Sequence, residues 1–415
     1  MRRVVTDWPL AMTAVLLSLY GVAMVYSAGQ TDVPTAALHA WVSQLRWLGL
    51  GVLAAWGVSR ASVRFIEWVS LPAYVFTLLL LAALLVIGTG AGTAASTKSW
   101  IAIGGVRLGQ PSELAKVTVV LMLARVLAAR REPPRSLLDL WQPALIVGIP
   151  WLLIMMQPDL GTGIVFIGIF FAMLFWSGVP LPLLILLASP AVSLILAFNT
   201  SLWGAWFLLL LALVLWYKPF MLEGIGLMTA NVVMGVVAPV LWERLAPYQR
   251  HRLLVFLDPS IDPRKSGWHV IQSQVAIGSG GWLGKGFLEG TQKRLAFLPE
   301  QHTDFIFAVV GEELGFLGVT IALSLFVFLL LRALRVAERG NDSYSSLVAF
   351  GLAASWLVHV IVNVGMTLNL MPITGIPLPF FSYGGSFMLA CWLAIGLLMR
   401  ISAEGRGARV GELAI

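Results

Sequence analysis

The sequence predicts an all-α, polytopic integral membrane protein of 10–12 transmembrane helices with one large extracytoplasmic loop. Three observations predict it. Of the 415 residues, 59% are hydrophobic and only 11% charged, with a mean hydropathy of +0.89. No soluble domain has interior enough to hide that much apolar surface. The apolar residues gather into runs of the roughly 17–25 residues a bilayer-crossing helix needs. Lys and Arg residues flank the first, second, fourth, eighth, tenth and last runs, all on one side if the runs alternate, the bias that orients membrane helices. Backbone groups in lipid must satisfy one another, so the runs are helices. No period-two strand pattern competes over any long stretch.

The first run covers 8–27. The preceding MRRVVTDWPLAM has no small-residue cleavage site, so this span is expected to be retained. Next come 44–60, 70–89, 112–129, 141–157, 160–177, 180–198, 201–217 and 221–241. After a long polar interval follow 304–332, 345–369 and 383–402. The short gaps within 141–217 leave the count between ten and twelve. Arg2 and Arg3 precede the first run, Arg60 and Arg64 follow the second, and Arg125, Arg130, Arg131 and Arg135 follow the fourth. Lys218 follows the eighth, Arg332, Arg335 and Arg339 the tenth, and Arg400, Arg406 and Arg409 the last. Alternating spans put all of these on one side, so both termini are expected in the cytoplasm and 242–303 outside. The 17 Trp suit rings at the headgroup level. A lone Cys391 excludes a disulfide framework or a cysteine-based metal site. Basic cytoplasmic loops alone are enough to account for the net charge of +7. With no soluble basic domain it does not indicate nucleic acid. The chain 1–415 reads as one membrane domain, with 242–303 a loop within it.

That loop carries eight Lys or Arg against five Asp or Glu, and His251, His269 and His302 of the five histidines. Asp304 closes it. A basic loop ending on a carboxylate at a membrane boundary points to chemistry on an anionic, membrane-held substrate. The alternative is a solvated connection. Gly278 to Gly286 looks like a phosphate loop but has no Ser or Thr after Lys285, so a nucleotide-binding P-loop is not expected. Its backbone amides and Lys285 are expected to stay open to a pyrophosphate. Trp268, Ile271 and Val275 form an i, i+3, i+7 stripe, predicting an amphipathic helix over 268–277 lying on the membrane.

Four other segments join the loop on its side. Thr97 to Ile101 carries Trp100, and Arg107 leads into QPSELAK at 110–116. There Pro111, Ser112 and Glu113 form a helix start. Glu113 and Lys116 share a face three residues apart and can pair, as structure or as part of a polar site. Asp159, in QPDLGT at 157–162, is placed to cap the next helix. LPEQHTD at 298–304 carries Glu300, His302 and Asp304. Glu312 and Glu313 follow ~12–14 Å deeper at 1.5 Å per residue. Acids at that depth need partners, and one is expected to meet Lys116 or another buried polar group as support. Finally, Pro372, Pro377 and Pro379 with Gly375, Gly384 and Gly385 break the helix between Asn363 and Ser386. Such backbone lines a wet cavity or simply turns. Neither H-E-x-x-H nor G-x-S-x-G occurs.

These stretches carry a family resemblance. Lys98-Ser99-Trp100-Ile101, QPSELAK, QPDLGT, VIQSQVAIGSGGWLGKG at 270–286, LPEQHTDFIFAVVGEELG at 298–315 and NVGMTLNLMPITGIPLPFFSYGGS at 363–386 occur in family order. With them the chain resembles the SEDS family of bacterial cell-wall proteins (shape, elongation, division and sporulation). Gly290-Thr291-Gln292 is closer to the elongation branch than to the division branch.

The resemblance implies a peptidoglycan glycosyltransferase that polymerises lipid II at the outer leaflet of the cytoplasmic membrane, with a class B penicillin-binding protein as crosslinking partner. It implies ten spans, so 180–241 holds two more, expected at the periphery. The family's essential loop aspartate falls on Asp304, and its outer-loop tryptophan on Trp100. Asp304 is the expected general base. Trp100, Arg107, Glu113, Lys116, Lys285, Glu300 and His302 are expected at the substrate, and Asp159, Glu312 and Glu313 in support. Arg250, Arg252, Lys265, Lys293 and Arg294 are further cations for the leaving pyrophosphate. A divalent ion, Mg or Mn, near Asp304 follows from the resemblance rather than from any ligand spacing. A lipid II flippase and a non-catalytic scaffold for the penicillin-binding protein are the alternative functions.

Overall fold

The computed structural model describes residues 7–32, 35–90, 98–103, 106–245, 250, 254–256, 258, 266–298 and 300–412. Each predicted run forms a helix, and polar side chains set where several begin. α1 (Trp8–Gly29) starts at Asp7, which accepts from the Leu10 amide. α2 (Ala40–Arg60) follows, then α3 (Val63–Ile87) after its cap Ser62. α4 (Pro111–Ala128) opens on its proline. α5 (Trp141–Met155) and α6 (Leu160–Trp176) are separated by the cap Asp159. α7 (Leu181–Leu196), α8 (Thr200–Tyr217, capped by Asn199) and α9 (Met221–Arg244) lead to the loop. α10 (Ser266–Ser279) lies within it. α11 (Ile306–Glu338), α12 (Ser343–Thr367, capped by Asp342) and α13 (Gly385–Glu412) complete the chain. Each cap supplies an acceptor to amides that the first turn leaves unpaired.

Among the described residues, eight helices are long and apolar enough to cross a membrane, and α6 and α7 are shorter apolar helices. α2 and α4 carry polar side chains such as Gln44, Glu113 and Lys116 inside the bundle. One large core joins the helices, with Leu123, Phe166, Phe326 and Phe381 at its centre. α12 is the most enclosed, packing on α4, α6 and α11. α7, α8 and α9 pack mainly on one another around Leu186, Leu210 and Leu227, so this segment stands at the edge of the bundle.

Three features differ from the sequence reading. A short antiparallel hairpin, β1 (Ile101–Ile103) with β2 (Val106–Gly109), precedes α4. Strands of three and four residues are too short to show alternation. α10 is a helix as expected, but it packs on α11 and α12 through a face other than the predicted stripe. Its inner face is Val270, Ser273 and Ala276, while Val275 is 44% exposed. Lastly, α11 is broken at Gly315 (φ 61°, ψ −158°) where one straight span was expected. That conformation is open essentially to glycine alone.

Candidate active site

The loop's end is built around Asp304, at the head of α11. Glu300 takes a positive φ of 52°, and the Thr303 and Phe305 amides donate to its carbonyl, making a tight turn. Gln301 is buried and donates to the Ala28 carbonyl at 2.7 Å, tying the turn to the end of α1. Phe305 and Leu298 pack with Ala276 and Ala308. The broken segment after α12 meets this turn. The Tyr383 amide donates to the His302 carbonyl, and the two rings lie 5.4 Å apart. Asn363 Nδ2 donates to the carbonyls of Asp304 (2.9 Å) and Ile376 (2.7 Å). Gly375 has φ +72°, and a Cβ there would sit 3.2 Å from Asp304 Oδ2. Glycine thus lets backbone run up to a carboxylate that is partly open to solvent.

The other segments close around the same end. Asp159 caps α6 through the Thr162 amide and hydroxyl and accepts from Gln110 Nε2 at 2.9 Å. The Gln110 amide donates to Ser386 Oγ. Gly161 abuts Thr374 and Ile376 beside Gly375. Trp100, half-buried, pairs by backbone with Thr89 at the end of α3. Arg107 pairs by backbone with Ala102; its side chain lies outside the described residues, as do Arg252, Lys265 and His251. His269 stacks on Phe305 at 6.1 Å.

Buried charges are paired with one another. Glu113 and Lys116 pair at 2.7 Å with side chains 5% exposed. Lys116 does not reach Glu312 or Glu313. Its second partner is His359 Nε2 at 2.8 Å, and its ammonium also lies 4.9 Å from the Phe387 ring centre. Glu312 instead accepts from Lys285 Nζ (2.7 Å), Thr291 Oγ1 and the Gln292 amide. Glu313 pairs with Lys293 at 2.6 Å and accepts from Ser27 Oγ. Each acid thus meets polar partners, and Lys285 and Lys293 are engaged by them.

The phosphate-loop look-alike is corrected. The amides of Gly284, Lys285 and Gly286 donate to the carbonyls of Gly280, Glu312 and Glu313. The Phe316 and Leu317 amides donate to Gly281 and Trp282. The glycines let this loop clamp the break in α11, where a Cβ on Gly315 would collide with the Gly284 nitrogen. The amides of Gly284, Lys285 and Gly286 are therefore not open to an anion.

Burial lowers the His302 pKa below its usual value, and the nearby Glu300 opposes this in part. The ring is therefore neutral at pH 7. An unfolded chain takes up that proton near pH 6.5, and the folded one only at lower pH. The unfolded state binds more protons across that interval, so stability falls as pH drops below about 6.5. We expect the melting temperature to decline from pH 7 to 5.5 and His302→Gln to flatten the decline. Equal slopes in both proteins would exclude His302 as its source.

Sequence reasoning passed over His359 and gave Asn363 no role beyond opening a broken segment. A histidine in an apolar helix was the available signal.

Fold and site define a multi-pass membrane protein whose polar side chains converge on one carboxylate at one end of a helical bundle. The FtsW, RodA and SpoVE family model, described as cell cycle protein, matches residues 7–206 and 203–407. The chain belongs to this family. It is 36% identical to the peptidoglycan glycosyltransferase RodA of Treponema pallidum, over 96% of this chain and 98% of that one. It is 35% identical to the peptidoglycan glycosyltransferase MrdB of Escherichia coli, over 94% and 92%. Its fold is similar to a chain of a solved peptidoglycan synthase complex that coordinates polymerization and crosslinking (TM-score 0.71, 29% identity, 96% and 98% covered). It is also similar to the rod shape determining protein RodA of Thermus thermophilus (TM-score 0.61, 28% identity, 95% and 96% covered).

Proposed function

We propose that this chain is a peptidoglycan glycosyltransferase that polymerises lipid II into glycan strands during cell elongation, with Asp304 as general base. The observation that carries the site is Asp304 itself: a partly exposed carboxylate fixed where the polar loop enters a helix, against a glycine backbone. A sugar hydroxyl gives its proton to Asp304 as its oxygen bonds to the anomeric carbon. The bond from that carbon to the pyrophosphate oxygen breaks, and the lipid pyrophosphate leaves. A positioned base contributes roughly 10²–10⁴-fold.

Charge on the leaving group needs cations. With Lys285 and Lys293 engaged, Arg107, Arg250, Arg252, Lys265 and Arg294 remain in the proposal. Arg294 is half-exposed and shared with Asp32. Trp100, Glu300 and His302 keep their proposed places beside the sugar. A divalent cation, Mg or Mn, belongs to the same reading. Among the described residues no three His, Cys, Asp or Glu side chains converge. Asp304 thus fits only the sparse mode, in which such an ion is held by one or two carboxylates and the substrate's phosphates. Bound there, the ion would supply positive charge to the pyrophosphate.

The distribution of Lys and Arg supports cytoplasmic termini and a site on the outer face of the bacterial cytoplasmic membrane. The synthase complex supports a class B penicillin-binding protein as partner. Purified chain with lipid II in detergent, with and without that partner, tests the reading. Glycan made there, where no second leaflet exists, is the expected result. Lipid II transport into vesicles without any polymer would overturn it in favour of a flippase, and no activity in either assay would favour a scaffold.

A further inference from the structure

We propose that His359 and Asn363 are positioning residues for Asp304, acting through the backbone of residues 375–377. The inference rests on Asp304 as the base. The two side chains stand one turn apart on α12, so they share a face, and both are fully buried. Burying a histidine and an amide in an apolar helix is costly unless both are hydrogen-bonded. Each is spent on the same stretch of chain. Asn363 faces two carbonyls, those of Asp304 and Ile376. Only its NH₂ can satisfy both, which settles the amide's orientation.

His359 is settled in the same way. An ammonium has donors only, so Nε2 accepts from Lys116 at 2.8 Å. Nδ1 then carries the hydrogen and donates to the Pro377 carbonyl at 2.9 Å. The carbonyls of 376 and 377 belong to no helix or strand, and these side chains hold them. Gly375, immediately before them, lies against the Asp304 carboxylate. Glu113 holds Lys116. The buried ion pair therefore acts through His359: it fixes the tautomer that grips the floor under Asp304. A misplacement of 1 Å from such a remote change costs on the order of 10²-fold in rate.

The test exploits the two nitrogens of the ring. In His359→Asn the amide nitrogen takes the place of Nδ1 and keeps the donor to Pro377. In His359→Gln the amide reaches the place of Nε2 and loses that donor. The full-length chain is assayed with lipid II in detergent, alongside melting temperature. We expect His359→Gln to lower kcat by roughly 10- to 100-fold with KM unchanged, and His359→Asn to recover most of that loss. Equal impairment of both variants, or a loss in KM rather than kcat, overturns the proposal. Should His359→Gln fail to fold, Gly375→Ala carries the same test, because it pushes on the carboxylate from the other side of the loop. A wild-type kcat in that variant would also overturn it. Asp304→Asn runs in parallel. If it is dead while these variants keep full kcat, only the positioning role fails. If it polymerises, the reading of Asp304 fails and takes this inference with it.

Discussion

Asp304→Asn is expected to abolish glycan polymerisation while leaving the melting temperature of the protein unchanged. The amide keeps the size and shape of the carboxylate but cannot take the hydroxyl's proton, removing roughly 10²–10⁴ in rate. The bond from Asn363 on α12 is made to the backbone carbonyl of this residue and is kept in the variant. Gly375 leaves room for either group, with 3.2 Å from the position of an added Cβ to Oδ2. Gel analysis of lipid II products and a thermal scan of the same sample check both halves. Polymer at the wild-type rate would remove Asp304 from the chemistry.

The largest effect on stability is expected from Lys293→Met. Lys293 and Glu313 are both wholly enclosed, with side chains 0% exposed and 2.6 Å apart. Lys293 also donates to the carbonyl and hydroxyl of Ser27, so it joins the loop to α1 as well as to α11. Removing the ammonium strands a carboxylate away from water, at a cost of about 3–5 kcal/mol. The equivalent change at Lys285 should cost less. Its side chain is 26% exposed, and Glu312 keeps Thr291 and the Gln292 amide as donors. The double change Lys293→Met with Glu313→Gln should recover much of the loss, because no bare charge is left. Denaturation of the four proteins in detergent ranks them. A Lys293→Met protein as stable as the unmodified chain would show that the pair contributes nothing to holding the loop.

Much of the fold was legible from particular residues. The long apolar runs placed every large helix in order, because the bilayer demands length and hydropathy that no partner can supply from elsewhere. Asp159 could be read as a cap from its place between two apolar runs. The position of Asp304 was legible as the last polar residue before a span. The break at Gly315 was not, since one glycine in an apolar run carries no mark of the loop that clamps it. Nor was the packing of α10, whose apolar stripe at 268, 271 and 275 indicated a face other than the one it buries. The glycines of 278–286 were misleading for a physical reason. Close approach of backbone to a phosphate and close approach of backbone to a kinked helix call for the same residue.

The sequence by itself determined that this chain is a bundle of membrane helices with its polar motifs collected at one end, because hydropathy, caps and helix breakers act over a few neighbouring residues. Only the tertiary structure decided which charges are spent on one another. It gave Lys116 to Glu113 and His359, Lys285 to Glu312 and Lys293 to Glu313. Those choices depend on distances of less than 3 Å between residues up to 243 positions apart, and a buried ion takes whichever partner the packing brings within reach.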